Sequence, residues 1–285
     1  MGDSNWARFD RDWKLEPDED SEPVFVLAAG WRSGSTLLQR LICSSGEVLL
    51  WGEPYARCSL LPALTRSALG LREDWPSTNH FASEKVYENL SQYWIANLYP
   101  PPQAIRNSYK AAVDAFLKQP AEAKGFSRFG LKEVRLQAME AHFLQWLYPS
   151  ARFVFLVRNP WDAWRSSKGM GFILRWPNVT VDNPTVFARH WRALTESFLG
   201  WQGENSLMLR YEDLVAPGFD LGVLKEHCRL SSIDPSVMDR VIRGVKRPPL
   251  ALGMEEIEEI RSIVEPVAST VGYRGLTVES TSAAA

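Results

Sequence analysis

The chain has 285 residues, 45% of them hydrophobic, enough apolar material for one large domain with a substantial core. Its 32 Lys+Arg and 34 Asp+Glu leave a formal net charge of -2, which excludes a nucleic-acid binder held by a global basic field and a chain kept disordered by acidic excess. Cys43, Cys58 and Cys228 fit neither a metal-ligand spacing nor a disulfide framework, so reduced thiols, a cytoplasmic location and no metal are expected.

Residues 1–22 form a polar lead-in with an acidic run from Glu16 to Glu22. The opening lacks the basic and apolar regions of a signal peptide, and Trp6 breaks the myristoylation pattern. Trp6 and Trp13 are expected to dock on the body of the protein. No apolar run approaches the roughly 18 residues of a spanning helix. The sequons at Asn89 and Asn178 therefore carry little weight. Residues 23–274 read as one domain, and 275–285 as a small, polar, flexible tail.

Within the body, apolar runs alternate with helical patterns. Val24–Ala28 and Phe153–Val157 are continuous β-branched and aromatic runs, as expected of strands buried on both faces of a parallel sheet. Val48–Trp51, Phe129–Lys132 and Ser206–Arg210 are further strand candidates. Leu37, Leu38, Leu41 and Ile42 share a helix face after the first strand. Val186, Phe187, His190, Trp191, Leu194, Phe198 and Trp201 form a longer stripe, begun by Asn183-Pro184 in the cap and first-turn positions. This alternation predicts an α/β, three-layer, P-loop-like fold whose central, mainly parallel sheet is flanked by helices, with ligands at the carboxyl ends of the strands.

Directly after the first strand stands Gly30-Trp31-Arg32-Ser33-Gly34-Ser35-Thr36, and then a helix. That order aims free backbone N–H groups and a helix dipole at an anion. Gly34 permits close approach, Ser35 and Thr36 bring hydroxyls, and Arg32 brings a charge. An ordinary strand-to-helix turn is the bland alternative. The triphosphate loop G-x-x-x-x-G-K-[ST] needs a lysine after its second glycine, and Ser35 stands there instead. A nucleotide-dependent kinase is therefore the weaker alternative.

Three more features follow at strand ends. Glu53, in Trp51-Gly52-Glu53-Pro54, is a carboxylate placed near the loop and suited to general-base work, or else a turn residue before Pro54. Lys132 closes the strand candidate 26 residues before Arg158. Arg158-Asn159-Pro160 leads into a helix with Ser166 eight residues after the arginine, so guanidinium and hydroxyl can hold one phosphate from two sides. An ion pair with Asp162 is the competing explanation for Arg158.

Together with Tyr211-Glu212-Asp213-Leu214, these segments resemble the sulfotransferase superfamily that uses 3′-phosphoadenosine 5′-phosphosulfate (PAPS), and its Golgi carbohydrate and tyrosylprotein branches in motif style. The resemblance spans residues 23 to about 274 and rests on the order of the parts. It implies that Arg32, Ser33, Gly34, Ser35 and Thr36 hold the phosphosulfate. It further implies that Arg158 and Ser166 hold the 3′-phosphate, that Tyr211 helps to line the nucleotide pocket, and that Glu53 takes the acceptor's proton. Lys132 is implied to meet charge on the bridging oxygen, although Glu133-Val134 replaces the commoner Thr-Pro. A late basic residue over the nucleotide would be Lys246 or Arg247. The acceptor is expected to be a hydroxyl or amine of a small metabolite or glycan, with protein tyrosine as an alternative. Aromatic residues in segments 59–127 and 168–190 would wall its site.

Overall fold

The structure is a computed structural model and describes residues 6, 15–16, 21–54, 58–71, 83–96, 98–168, 174–176, 179–201, 203, 205–239 and 250–274, with the backbone only at 174–176 and 179. In chain order the elements are β1 (Val24–Ala28), α1 (Ser35–Cys43), β2 (Val48–Trp51), α2 (Leu60–Ala68), α3 (Glu84–Glu88) and α4 (Pro102–Val113). Helix α4 runs on through a π-helical turn, Asp114–Lys118, into Gln119–Glu122. Then come β3 (Arg128–Glu133), α5 (Ala138–Leu147), β4 (Arg152–Val157), α6 (Pro160–Lys168), β5 (Leu174–Trp176), β6 (Val179–Val181) and α7 (Pro184–Leu199). The last are β7 (Ser206–Arg210), a helical turn at Tyr211–Leu214, α8 (Leu221–His227), a 3-10 turn at Pro235–Val237 and α9 (Met254–Thr270).

Five strands form one parallel sheet in the order β2-β3-β1-β4-β7, flanked by helices, and β5 and β6 make a separate antiparallel pair. Strand β1 lies at the centre. Val24 is level with Gly130 of β3 and Arg152 of β4, and Leu27 with Glu133 and Phe155. With neighbours on both edges and helices over both faces, every residue of β1 is fully buried, which is why its sequence is apolar without alternation.

The topology gathers the site. The chain leaves β1 toward β2 and β3 on one side, then crosses to β4 and β7 on the other. Because all five strands run the same way, the segments after β1, β2, β3, β4 and β7 emerge at one edge, around the crevice where the strand order reverses.

The aromatic stripe on α7 supports this edge from behind. Asn183 accepts a hydrogen bond from the Val186 N–H (2.9 Å) and Pro184 occupies the first turn. Phe187, Trp191, Leu194 and Phe198 are buried, and Phe198 stacks on Phe155 of β4 at 4.8 Å between ring centroids. Trp6 docks as expected: its indole N–H donates to the Ala68 carbonyl (2.8 Å) and its ring stacks on Trp146. Trp13 lies outside the described residues. Among the described residues, no helix is long and apolar enough to cross a membrane.

Candidate active site

The loop after β1 is curled by positive φ at alternate positions: 84° at Gly30, 63° at Arg32 and 87° at Gly34. Such alternation turns successive N–H groups toward one concave side. Helix α1 starts at Ser35 with Gly34 as its N-cap and no side-chain cap, so its first N–H groups remain directed at the loop. Ser33 is fully buried, and its Oγ has no hydrogen-bond partner among the described residues. Ser35 is also buried, while Thr36 is exposed.

Tyr211, which follows β7, lies against Gly34. A Cβ at position 34 would stand 2.1 Å from Tyr211 Cδ2, so the contact requires glycine as well as its left-handed φ. Gly34→Ala is expected to lower stability by about 2 kcal/mol or more, from strain plus overpacking, read as a fall in the thermal midpoint. A midpoint equal to that of the native protein would contradict the contact.

Arginines from two strand ends meet at this loop. Arg158 donates through Nη1 to the Arg32 carbonyl (2.7 Å), and its guanidinium lies 4.4 Å from the centre of the Tyr211 ring. Arg158 Nε is buried without a partner among the described residues. Arg32 Nε donates to Ser166 Oγ at 2.9 Å. Partial burial first, then the like charge of Arg158, pull the Arg32 guanidinium below its ordinary value. Among the described residues, no carboxylate forms an ion pair with either arginine. Asp162, the alternative partner for Arg158, pairs with Arg165. Two cations, a serine hydroxyl and a curl of N–H groups therefore face one place, which is an arrangement for a multiply charged anion.

The segment carrying Arg158 is held on several sides. Trp191 Nε1 donates to the Arg158 carbonyl (2.9 Å), and the Asn159 N–H donates to Glu212 (2.9 Å). The other Glu212 oxygen accepts from Tyr273 Oη at 2.6 Å. Burial and this carboxylate push the Tyr273 phenol well above its ordinary value. Asn159 Oδ1 accepts from the N–H groups of Trp161 (3.1 Å) and Asp162 (3.3 Å), capping α6.

A charged cluster lies at the ends of β2 and β3. Lys132 is only 4% exposed, and its ammonium contacts Glu53 Oε1 at 2.5 Å. Arg135 Nη1 is 2.9 Å from Glu133 Oε1 and 3.5 Å from Glu53 Oε2, with its guanidinium 5.1 Å from the centre of the Trp31 ring. Glu133 is fully buried and also accepts the Val134 N–H (2.8 Å). His190 lies behind the loop, its ring centroid 4.7 Å from that of Trp31. Burial, followed by the charge of Arg135, pushes its imidazole down to about 3, so it is neutral near pH 7. A small apolar pocket beside Glu53 is lined by Pro54, Leu61, Pro62, Phe116, Leu131 and Leu136.

The structure thus gathers the sequence candidates in two adjoining groups: Arg32, Ser33, Gly34, Ser35, Thr36, Arg158, Ser166 and Tyr211 around the loop, and Glu53 with Lys132 beside it. Arg135 is not among the sequence candidates; its one signal is a third charge two residues after Glu133. Lys246, Arg247, Trp75, Phe81, Phe172 and the Trp176 side chain lie outside the described residues. Tyr87, Tyr93, Trp94 and Tyr99 are exposed, whereas Tyr109 packs on Phe143. Among the described residues, no group of His, Cys, Asp and Glu has the arrangement of a metal site.

Three comparisons bear on the chain. The family profile described as "Sulfotransferase family" matches residues 23–218. No curated protein matches it. Among solved structures, the sulfotransferase domain from the Synechococcus PCC 7002 olefin synthase is 18% identical, over 92% of this chain and 98% of that one, with a TM-score of 0.48. A sulfotransferase domain from the curacin biosynthetic pathway is 16% identical over 91% and 100%, with a TM-score of 0.49. Sulfotransferase STF9 from Mycobacterium avium is 14% identical over 95% and 82%, with a TM-score of 0.42.

Proposed function

The chain belongs to the sulfotransferase family, and from that premise we propose that it moves the sulfuryl group of PAPS to a hydroxyl or amine of a small metabolite or glycan, with Glu53 as general base. The observation that carries this reading is the meeting of Arg32, Arg158 and Ser166 with no carboxylate on either arginine among the described residues. PAPS has charge at both its 5′ and 3′ ends, and a site for it needs cations on two sides. The buried, unpartnered Arg158 Nε and Ser33 Oγ are groups for which such a ligand offers acceptor atoms.

In this reading the N–H groups of Gly30–Thr36 and the hydroxyls of Ser33, Ser35 and Thr36 hold the phosphosulfate. Arg158 and Ser166 hold the 3′-phosphate, and Tyr211 lines the nucleotide pocket. PAPS supplies an activated sulfuryl group. Glu53 accepts the acceptor's proton, and Lys132 with Arg32 meets the charge that gathers on the leaving side. The loop N–H groups and Arg32 are held in place before the reaction, so they need little reorganisation when charge moves. His190, neutral and fully buried behind Gly30 and Trp31, is a poor substitute for Glu53. The kinase alternative still lacks the lysine after Gly34, and the family match speaks against it.

The test is thermal unfolding with PAP, the desulfated donor, against ATP with Mg²⁺. At 100 times its dissociation constant PAP should stabilise the fold by about 2.7 kcal/mol, a rise of several degrees, while ATP moves the midpoint far less. Equal stabilisation by ATP, or none by PAP, would overturn the donor assignment. A PAPS-dependent screen for mass gain across metabolites and glycans then identifies the acceptor.

A further inference from the structure

Resting on the donor reading above, we infer that Arg135 is a positioning residue that takes over Glu53 when Lys132 turns to the donor. Glu53 carries one cation on each carboxylate oxygen: Lys132 at 2.5 Å on Oε1 and Arg135 at 3.5 Å on Oε2. The close contact covers the oxygen that would receive a proton. An ammonium held there also cannot meet charge on a leaving group. Both assigned roles therefore require this contact to open.

When it opens, Glu53 keeps a cation only if Arg135 holds it. The 3.5 Å separation leaves room for the guanidinium to close to a hydrogen bond. Arg135 is fixed for that work. Its side chain is 10% exposed, Glu133 anchors Nη1, and the Trp31 ring faces the guanidinium. Trp31 belongs to the loop after β1, so one residue ties the donor loop to the carboxylate. The charged groups around Glu53 are Lys132 and Arg135 directly, with Glu133 behind Arg135; His190, beyond Trp31, is neutral. Lys132 thus covers one oxygen of Glu53 before the donor arrives, and Arg135 steadies the other afterwards.

Arg135→Met alone would strand the fully buried Glu133 carboxylate, which destabilises by itself. The decisive variant is therefore Glu133→Gln with Arg135→Met, which removes both charges and keeps an acceptor for the Val134 N–H. Calorimetric titration should give a PAP affinity within a few-fold of the native protein's, because Arg135 meets the donor loop only at the face of the Trp31 ring and reaches none of Arg32, Arg158 or Ser166. The crystal structure of the native PAP complex should show Lys132 off Glu53 and Arg135 within about 3 Å of Oε2. PAPS consumption with water as acceptor should fall about 100-fold in kcat in the double variant, with KM for PAPS unchanged. Arg135→Lys should recover part of that loss, since it keeps the charge without the fork. Lys132 still seated on Glu53 in the PAP complex, or a double variant as active as the native protein, would overturn the inference. Failure of PAP to bind the native protein would instead overturn the donor reading, and the hand-over with it.

Discussion

Glu53→Gln is expected to abolish sulfuryl transfer, by about three orders of magnitude, while PAP affinity stays within a few-fold. The amide has the shape of the carboxylate and its oxygen still accepts from Lys132, so the ends of β2 and β3 keep their contact. It cannot take a proton at neutral pH. Arg32, Arg158, Ser166 and Tyr211 belong to the neighbouring group, and none of their observed contacts involves Glu53. Single-turnover assays with PAPS, paired with calorimetry on PAP, separate the two effects. A variant as active as the native enzyme would remove Glu53 from the base role. Equal losses in binding and turnover would mean that Glu53 supports the donor loop instead.

The second large effect is on binding. Arg158→Ala should weaken PAP by about 100-fold, the loss of one or two charge-assisted hydrogen bonds in a partly buried site. The informative control is adenosine 5′-phosphosulfate, which lacks the 3′-phosphate. Against that ligand the native protein and the variant should differ little. Arg158 also holds the Arg32 carbonyl and covers the Tyr211 ring. If its role were only to shape the loop, both ligands would lose affinity alike, and the 3′-phosphate assignment would fall.

β1 and the apolar run of β4 were legible because burial on both faces leaves no reason for polar residues. Val24–Ala28 carries none, and the sequence boundaries of β1, β2 and β7 are those of the structure. β3 and β4 are longer than their apolar runs. Arg128 and Arg152 extend their N-terminal ends, and Glu133 extends β3 at the other. A carboxylate fully buried at a strand end is not anticipated from polarity; its Arg135 contact and the Val134 N–H make it tolerable there.

Pairing was less legible than position. From sequence alone, Glu133 is an alternative partner for the adjacent Lys132, as is plain solvent exposure. Lys132 instead meets Glu53 from the end of neighbouring β2, and Glu133 meets Arg135, which also approaches Glu53. Arg135 escaped notice for a related reason. Its ties to Trp31 and Glu53 span many residues and exist only once β1, β2 and β3 lie side by side. The close approach of Tyr211 to Gly34 is likewise a product of topology, since β7 and the first loop meet only across β4.

The central position of β1 also governs the order of events during synthesis. Both hydrogen-bonding neighbours of Val24–Ala28, Arg128–Glu133 and Arg152–Val157, leave the ribosome more than a hundred residues after Val24 does. Until then this wholly apolar strand lacks both of its native edge partners, the condition under which strands join those of other molecules. This interval is therefore the one in which the strand is most open to non-native pairing. The loop that follows β1 takes its final shape later still, because Arg158 and Tyr211, which hold it, lie beyond β4 and β7.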